Sequence, residues 1–252
     1  MHGFTLEVHG LLARLLDLLD RLGVELSWRT KATGINWSSS SVSGIALEDG
    51  SVLEARHYVI SPGAYGESIL RGTSAAGVIT GVLGVWLRLP NLEPALDVSL
   101  KIARRGQLAQ DANITVVRAS DDKTCLLVGA GYGWTGFVRG AVDQRQLDSL
   151  YSAAEDTARR FFPEACELAL STDRQYCIRP WTPSGLGVFA THPAVNGGKL
   201  VIAGGHNTGG FAQAPAVADA VLAWLRGEHH PMHELYRPSR DGHRATTSAV
   251  QP

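Results

Sequence analysis

Apolar residues recur at helical spacing from Val8 to Leu22. Val8, Leu11, Leu12, Leu15, Leu18, Leu19 and Leu22 share one face, with His9, Arg14, Asp17 and Arg21 off it. That spacing predicts an amphipathic helix, which Gly23 ends. The period then shortens to two. Val24-Glu25-Leu26-Ser27-Trp28 alternates and predicts a strand. Val42 to Leu47 and Val52 to Ala55 predict a hairpin closed by Glu48-Asp49-Gly50-Ser51. Tyr58-Val59-Ile60 is a short strand that is apolar throughout, and it runs into the small-residue loop Ser61-Pro62-Gly63-Ala64-Tyr65-Gly66. Val78 to Leu89, Val98 to Ile102, Ile114 to Arg118 and Cys125 to Gly129 predict successive antiparallel strands. Asp143 to Phe162 predicts a helix with Leu147, Leu150, Tyr151, Ala154, Ala158 and Phe161 on one face, stopped by Pro163. Asp173 to Arg179 and Leu200 to Ala203 read as strands, and Ala216 to Leu225 as a helix capped by Gly227.

These elements predict an α+β fold of two layers with different character. An α/β part of nucleotide-binding type, an incomplete Rossmann-like half, is expected from residues 1–78 and 194–240. A largely antiparallel sheet domain is expected from 79–193, and 241–252 reads as a disordered tail.

The composition is that of an ordinary globular protein, 44% apolar and 19% charged. A net charge of −1 and the lack of a basic run argue against a nucleic-acid surface. No apolar run approaches the ~18–20 residues of a bilayer span. The three cysteines, Cys125, Cys166 and Cys177, form neither a disulfide framework nor a zinc pattern. A reducing cytoplasm is the expected compartment, and no metal is expected. His229, His230 and His233 lack metal-ligand spacing across Pro231 and read as a solvated loop after the helix.

The densest chemistry lies in Gly204-Gly205-His206-Asn207-Thr208-Gly209-Gly210-Phe211-Ala212-Gln213-Ala214-Pro215, between a strand and a helix. Glycine at this density means positive φ or close approach to something bulky. A glycine-rich loop at a helix start suits an electron-rich or anionic ligand. A tight turn without a ligand is the alternative on these residues alone.

Four segments, taken in order, resemble the FAD-dependent amino-acid oxidases and dehydrogenases of the D-amino acid oxidase, glycine oxidase and sarcosine oxidase group. The Leu22-Gly23-Val24 step is similar to the segment before the family's adenine-contacting strand. Val59-Ile60-Ser61-Pro62-Gly63-Ala64-Tyr65 resembles its V-V-x-A-x-G-A-W loop. Cys177 through Gly185 (Cys-Ile-Arg-Pro-Trp-Thr-Pro-Ser-Gly) resembles x-R-P-x-T-P-D-G. Gly205-His206 through Pro215 resembles G-H-x-x-x-G-F-x-x-A-P. Beyond these four, Leu235-Tyr236-Arg237-Pro238-Ser239-Arg240 also resembles the family's closing motif.

The resemblance implies FAD as cofactor and a small amino acid or related amine as substrate, oxidised at its C–N bond by hydride transfer. It places Arg179 against the substrate carboxylate, where a planar guanidinium fork fits two oxygens. A structural arginine at a strand end is the alternative. It places Gly205, His206, Asn207, Thr208, Gly209, Gly210 and Phe211 around the flavin pyrimidine ring, Gly63 and Ala64 near the ribityl or phosphate region, and the Ala32 backbone near the adenine. Tyr132 and Trp134 would close the substrate pocket or serve as ordinary packing. Cys177 lies near where some relatives attach flavin, but a small buried thiol in a strand is the favoured reading.

One departure is large. The family's opening βαβ unit, whose G-x-G-x-x-G turn holds the FAD pyrophosphate, is not expected among these residues, because only Met1 to Glu7 precede the first candidate helix. A partner polypeptide supplying that half, a truncation, or a non-catalytic scaffold that has lost FAD would each account for it.

Overall fold

The computed structural model describes residues 8–92, 99–102, 112–118, 124–138, 140–169 and 174–239. The expected tail, 241–252, lies outside them. No helix among the described residues is long and apolar enough to cross a membrane. The fold is α+β, with two sheets and helices of both long and short kinds. Contacts divide the chain into two compact units. The first is Met1–Trp28, Leu83–Gly133 and Val142–Cys177; the second is Arg29–Val82, Trp134–Ala141 and Ile178–Pro252.

In the first unit, α1 (Val8–Arg21) ends as the leucine spacing predicts. Val24 N–H bonds to the Leu19 carbonyl and Gly23 N–H to the Asp20 carbonyl, with Gly23 at φ +69°. This is a Schellman closure. None of its residues is buried, and Leu12, Leu15, Leu16, Leu18 and Leu22 are exposed. Val24 to Trp28 forms no strand, contrary to its alternation. Alternation creates a face, but a strand also needs a neighbour for its backbone groups, and among the described residues no strand pairs with this segment. Helix α2 (Gln144–Phe161) is capped by the Asp143 carboxylate, which accepts from Arg145 N–H, and it buries Leu147, Leu150, Tyr151 and Ala154 as its spacing predicts. Helix α3 (Pro163–Ala169) follows at once.

The first sheet holds β1 (Ala32–Ser38), β2 (Ser41–Leu47), β3 (Val52–Leu53), β4 (His57–Ile60), β10 (Val188–Ala194) and β11 (Gly198–Gly204), in the order β1-β2-β10-β11-β4 with β3 on β2. The β2–β3 hairpin follows the Asp-Gly turn, as expected. Strands β1 and β10 carry no clean alternation and were not legible in the sequence. The second sheet holds β5 (Thr80–Pro90), β6 (Ser99–Ile102), β7 (Ala112–Arg118), β8 (Thr124–Gly136) and β9 (Arg174–Trp181), in the order β6-β7-β8-β5-β9.

Strand β11 is the spine of the second unit. Leu200 and Ile202 face one core with Val42, Tyr58, Ile60, Leu70, Val188 and Ala190. Val201 and Ala203 face the opposite one with Phe189, Ala220 and Met232. Burial on both faces explains why Leu200 to Ala203 is an unbroken apolar run. Helix α4 (Gly210–Arg226) lies against the second core. It begins six residues before the expected Ala216 and carries Pro215 inside it, so the Phe211 carbonyl loses its usual N–H partner.

Ile202→Ala removes a fully buried side chain. Equilibrium urea unfolding is expected to show a loss of about 2–5 kcal/mol; a loss under about 1 kcal/mol would contradict the two-faced core.

Candidate functional site

Strands β4 and β11 pair in parallel, with His57 to Ile60 opposite Lys199 to Ile202. Parallel strands release their chains at the same end, so their following loops are neighbours. After β4, Pro62 leads into a short 3₁₀ turn, Gly63–Tyr65. Ala64 is buried there, and the side of Gly63 where a Cβ would stand is open space. After β11 come Gly205, His206 and a second 3₁₀ turn, Asn207–Gly209, which leads directly into α4. A Cβ on Gly204 would lie 3.3 Å from Pro62 Cδ, so the two loops touch.

A third segment closes on them. Trp181, at the end of β9, forms an antiparallel bridge with His206. Thr182 is completely buried, and its Oγ1 accepts the Gly187 N–H at 3.2 Å. Gly205 sits at φ +75°, and a Cβ there would stand 2.5 Å from Thr182 Cγ2. Both the left-handed backbone and the close approach require glycine at 205.

His206 Nδ1 lies 3.3 Å from the Leu186 carbonyl. A carbonyl only accepts, so Nδ1 carries the hydrogen and Nε2 is left as an acceptor. Among the described residues, the buried Nε2 has no hydrogen-bond partner, and neither has Asn207 Oδ1 in the next residue, which holds φ +50°. Buried acceptors normally find a donor, so two adjacent ones without any mark a place where a donor is supplied from elsewhere. Burial lowers the His206 pKa from 6.5, with the Leu186 carbonyl and the Gln213 side chain opposing it. The ring is therefore neutral at pH 7.

The remaining candidates are distributed as follows. Arg179 is half-buried on β9, two residues before Trp181 and so on the same strand face. Trp134, on β8, is half-exposed and meets Trp181 edge-on at 4.8 Å. Tyr132 is on β8, and its side chain lies outside the described residues. Thr208 is exposed, Gly210 opens α4 and Phe211 is half-exposed in its first turn. Cys177 is half-buried on β9 and forms no disulfide among the described residues. Ala32 opens β1 and packs against the core, three strands from β11, so it stands apart from the loop cluster. Among the described residues there is no group of three or more side chains suited to a metal ion.

Sequence reasoning passed over three supports. Thr182 stood inside the quoted Arg-Pro-Trp-Thr-Pro segment without a role. Gln213 and Tyr236 stood inside two further motifs; Tyr236 donates its hydroxyl hydrogen to Gln213 Oε1 at 3.1 Å, and its ring lies 5.7 Å from His206. Only the fold shows that these three motifs meet.

Comparison with known proteins is consistent with this arrangement. A model of the FAD dependent oxidoreductase family (DAO) matches residues 1–224. The chain belongs to this family. It is 25% identical over 242 residues to a D-amino acid dehydrogenase of Methylobacterium sp. (strain 4-46), covering 94% of this chain and 52% of that protein. Among solved structures it is similar to glycine oxidase from Geobacillus kaustophilus, with 21% identity, a TM-score of 0.58, and coverage of 80% of this chain and 49% of the other. It is also similar to an Amadoriase I mutant from Aspergillus fumigatus, with 17% identity, a TM-score of 0.68, and coverage of 90% and 53%. The chain thus spans about half the length of these relatives. The family's cofactor is FAD. The loop cluster fits one end of it: two orphaned acceptors suit the N–H edge of a flavin ring, and the glycine backbone leaves room for close approach. The one G-x-G-x-x-G match in the sequence, Gly131 to Gly136, runs within strand β8 rather than turning into a helix, so it has not the form of a pyrophosphate cradle.

Thr182→Val keeps the shape but leaves the Gly187 N–H without its partner. Chemical denaturation is expected to show a loss of about 1–3 kcal/mol, and no loss would contradict the role given to Thr182. The pH dependence has a definite sign. Above 6.5 His206 is neutral in both folded and unfolded chains. As pH falls below 6.5 the unfolded chain takes up a proton that the folded one resists, so stability is lost. His192, also lowered by burial, acts in the same direction. His206→Asn should flatten this acid limb in a stability-versus-pH series, and an unchanged limb would contradict a buried neutral His206.

Proposed function

We propose that this chain carries the flavin-ring and substrate-binding half of an oxidoreductase that oxidises the C–N bond of an amino acid or related amine. The observation that carries this reading is the Trp181–His206 bridge, which ties the Arg179 strand to the glycine-rich loop. In this reading Arg179 pairs its guanidinium fork with the substrate carboxylate and so orients the α-carbon. Gly205 to Phe211 hold the ring end by backbone N–H groups, with Asn207 Oδ1 and His206 Nε2 as acceptors. Gly63 and Ala64 take the adjoining ribityl region, and Tyr132 and Trp134 border the substrate. Bound FAD supplies the hydride acceptor. A neutral His206 adds no positive charge beside the ring and no proton to the reaction.

The dinucleotide-binding half comes, in this proposal, from polypeptide outside these 252 residues. Two facts support that: the one G-x-G-x-x-G match, Gly131 to Gly136, lies inside strand β8 and opens no helix, and the chain spans about half of its relatives. Amino-acid substrates are supported by relatives named for D-amino acids and for glycine.

The test is reconstitution. The chain is mixed with a separately produced N-terminal half of the Methylobacterium dehydrogenase and with FAD, then gel-filtered. Co-elution of protein-bound flavin is expected, and its absence would overturn the proposal. In the reconstituted enzyme, Arg179→Lys keeps the charge but loses the fork. The expected result is an increase in KM for a carboxylate substrate of about 10- to 100-fold, from a lost charged hydrogen bond of about 1.5–3 kcal/mol, with an unaltered flavin spectrum. An unchanged KM would remove Arg179 from the substrate site.

A further inference from the structure

The three histidines after α4 do not form the solvated loop that their sequence suggests. Pro231–Leu235 is a short helix, α5, and His230 caps it. The His230 ring accepts from Met232 N–H, while His233 Nδ1 accepts from His230 N–H, both at 3.2 Å. His233 is buried, with Nε2 donating to the Ala220 carbonyl at 2.8 Å. Both ring nitrogens are thus engaged, and His233 serves here as an aromatic surface rather than as a ligand.

That surface is one wall of a cavity of about 460 Å³, lined in part by Phe189, Trp224, Glu228, His229, His233 and Arg237. All of its lining residues belong to the second unit. The rings form a corner. Phe189 and His233 are stacked at 4.7 Å and tilted by only 32°, whereas Trp224 stands at 72° to Phe189 and 87° to His233. His229 adds a fourth ring at 78° to His233. The corner is held rigidly. Lys199 Nζ donates to the Trp224 and Leu225 carbonyls, Glu228 N–H bonds to the Ala223 carbonyl across the Gly227 turn, and Phe189 N–H bonds to the Tyr236 carbonyl.

Charge completes the picture. Glu234 also lines the cavity, but it is paired with Arg237. Glu228 is exposed at the rim, and among the described residues it has no ion-pair partner. The result is rings meeting near right angles with one uncommitted carboxylate beside them. An indole face and a nearby carboxylate both attract positive charge, and the apolar walls favour a cation that is weakly hydrated. A phosphate or carboxylate ligand would face Glu228 and Glu234 across a single, already paired arginine.

We propose that the cavity between α4, α5 and β10 is a binding site for a small organic cation, a quaternary or substituted ammonium, seated against Trp224 and His233 with Glu228 as its counter-charge. The site is independent of the flavin reading and requires only the chain itself.

The test uses choline and its neutral isostere, the alcohol in which carbon replaces the nitrogen. Binding to the 252-residue chain is followed by calorimetry and by the upfield ring-current shift of the choline methyl protons. Saturable choline binding at millimolar concentration or tighter is expected, with the isostere at least about tenfold weaker. Glu228→Gln, which keeps shape and removes charge at an exposed position, should weaken choline about 2- to 30-fold, the range of one cation–π or charge contact. Trp224→Leu should abolish the ring-current shift. Absence of choline binding, equal binding of the isostere, or an unchanged affinity in Glu228→Gln would each overturn the proposal. Because Glu228→Gln leaves the packed rings untouched, misfolding of the tryptophan variant does not decide the matter.

Discussion

The parallel pairing of β4 with β11 is the constraint on which the candidate site depends. Four residue pairs, from His57 opposite Lys199 to Ile60 opposite Ile202, fix the two strands in one register and one direction. That alone sets the Gly63 turn beside the Gly205 turn. The pairing is held from both sides, because β11 buries Leu200 and Ile202 on one face and Val201 and Ala203 on the other. A one-residue slip would exchange these faces and move the loop by a full residue. Core packing is therefore what positions the site, and the polar residues of the loop inherit their places from it.

The loop itself is held in a conformation that few sequences tolerate. Gly205 is confined by Thr182 and by its positive φ, and Asn207 adopts the left-handed region without being glycine. Asparagine enters that region more readily than other residues with a side chain, because its short amide can bond locally. Two adjacent acceptors, His206 Nε2 and Asn207 Oδ1, are buried in that geometry without donors among the described residues. Such an arrangement costs stability in the isolated chain and makes sense for a surface completed by a bound ring.

Much of this was legible from residue patterns, and the failures have physical causes. Apolar periodicity placed α1 and α2, the apolar run placed β11, and Asp-Gly placed the β2–β3 hairpin. The glycine-rich segment and Arg-Pro-Trp-Thr-Pro stood out as chemistry before their proximity was known. Val24 to Trp28 failed as a strand because alternation says nothing about whether a pairing neighbour exists. Helix α4 extends six residues ahead of its apolar run: Pro215 reads as a boundary in the sequence, yet the helix passes through it and the Phe211 carbonyl forgoes its usual partner. The burial of His233 leaves no trace in the histidine spacing, which reports on metals; its two backbone partners are visible only in three dimensions. The meeting of Trp181 with His206, 25 residues apart along the chain, has no signature in either segment alone.

The most direct measurement is photolabelling of the reconstituted enzyme with an azido flavin analogue of FAD, followed by peptide mapping. The account predicts label in the Gly204 to Phe211 segment and the Pro62 to Tyr65 turn, lost when unmodified FAD competes. Label confined to other segments of this chain, or to the added dinucleotide-binding half alone, would contradict it.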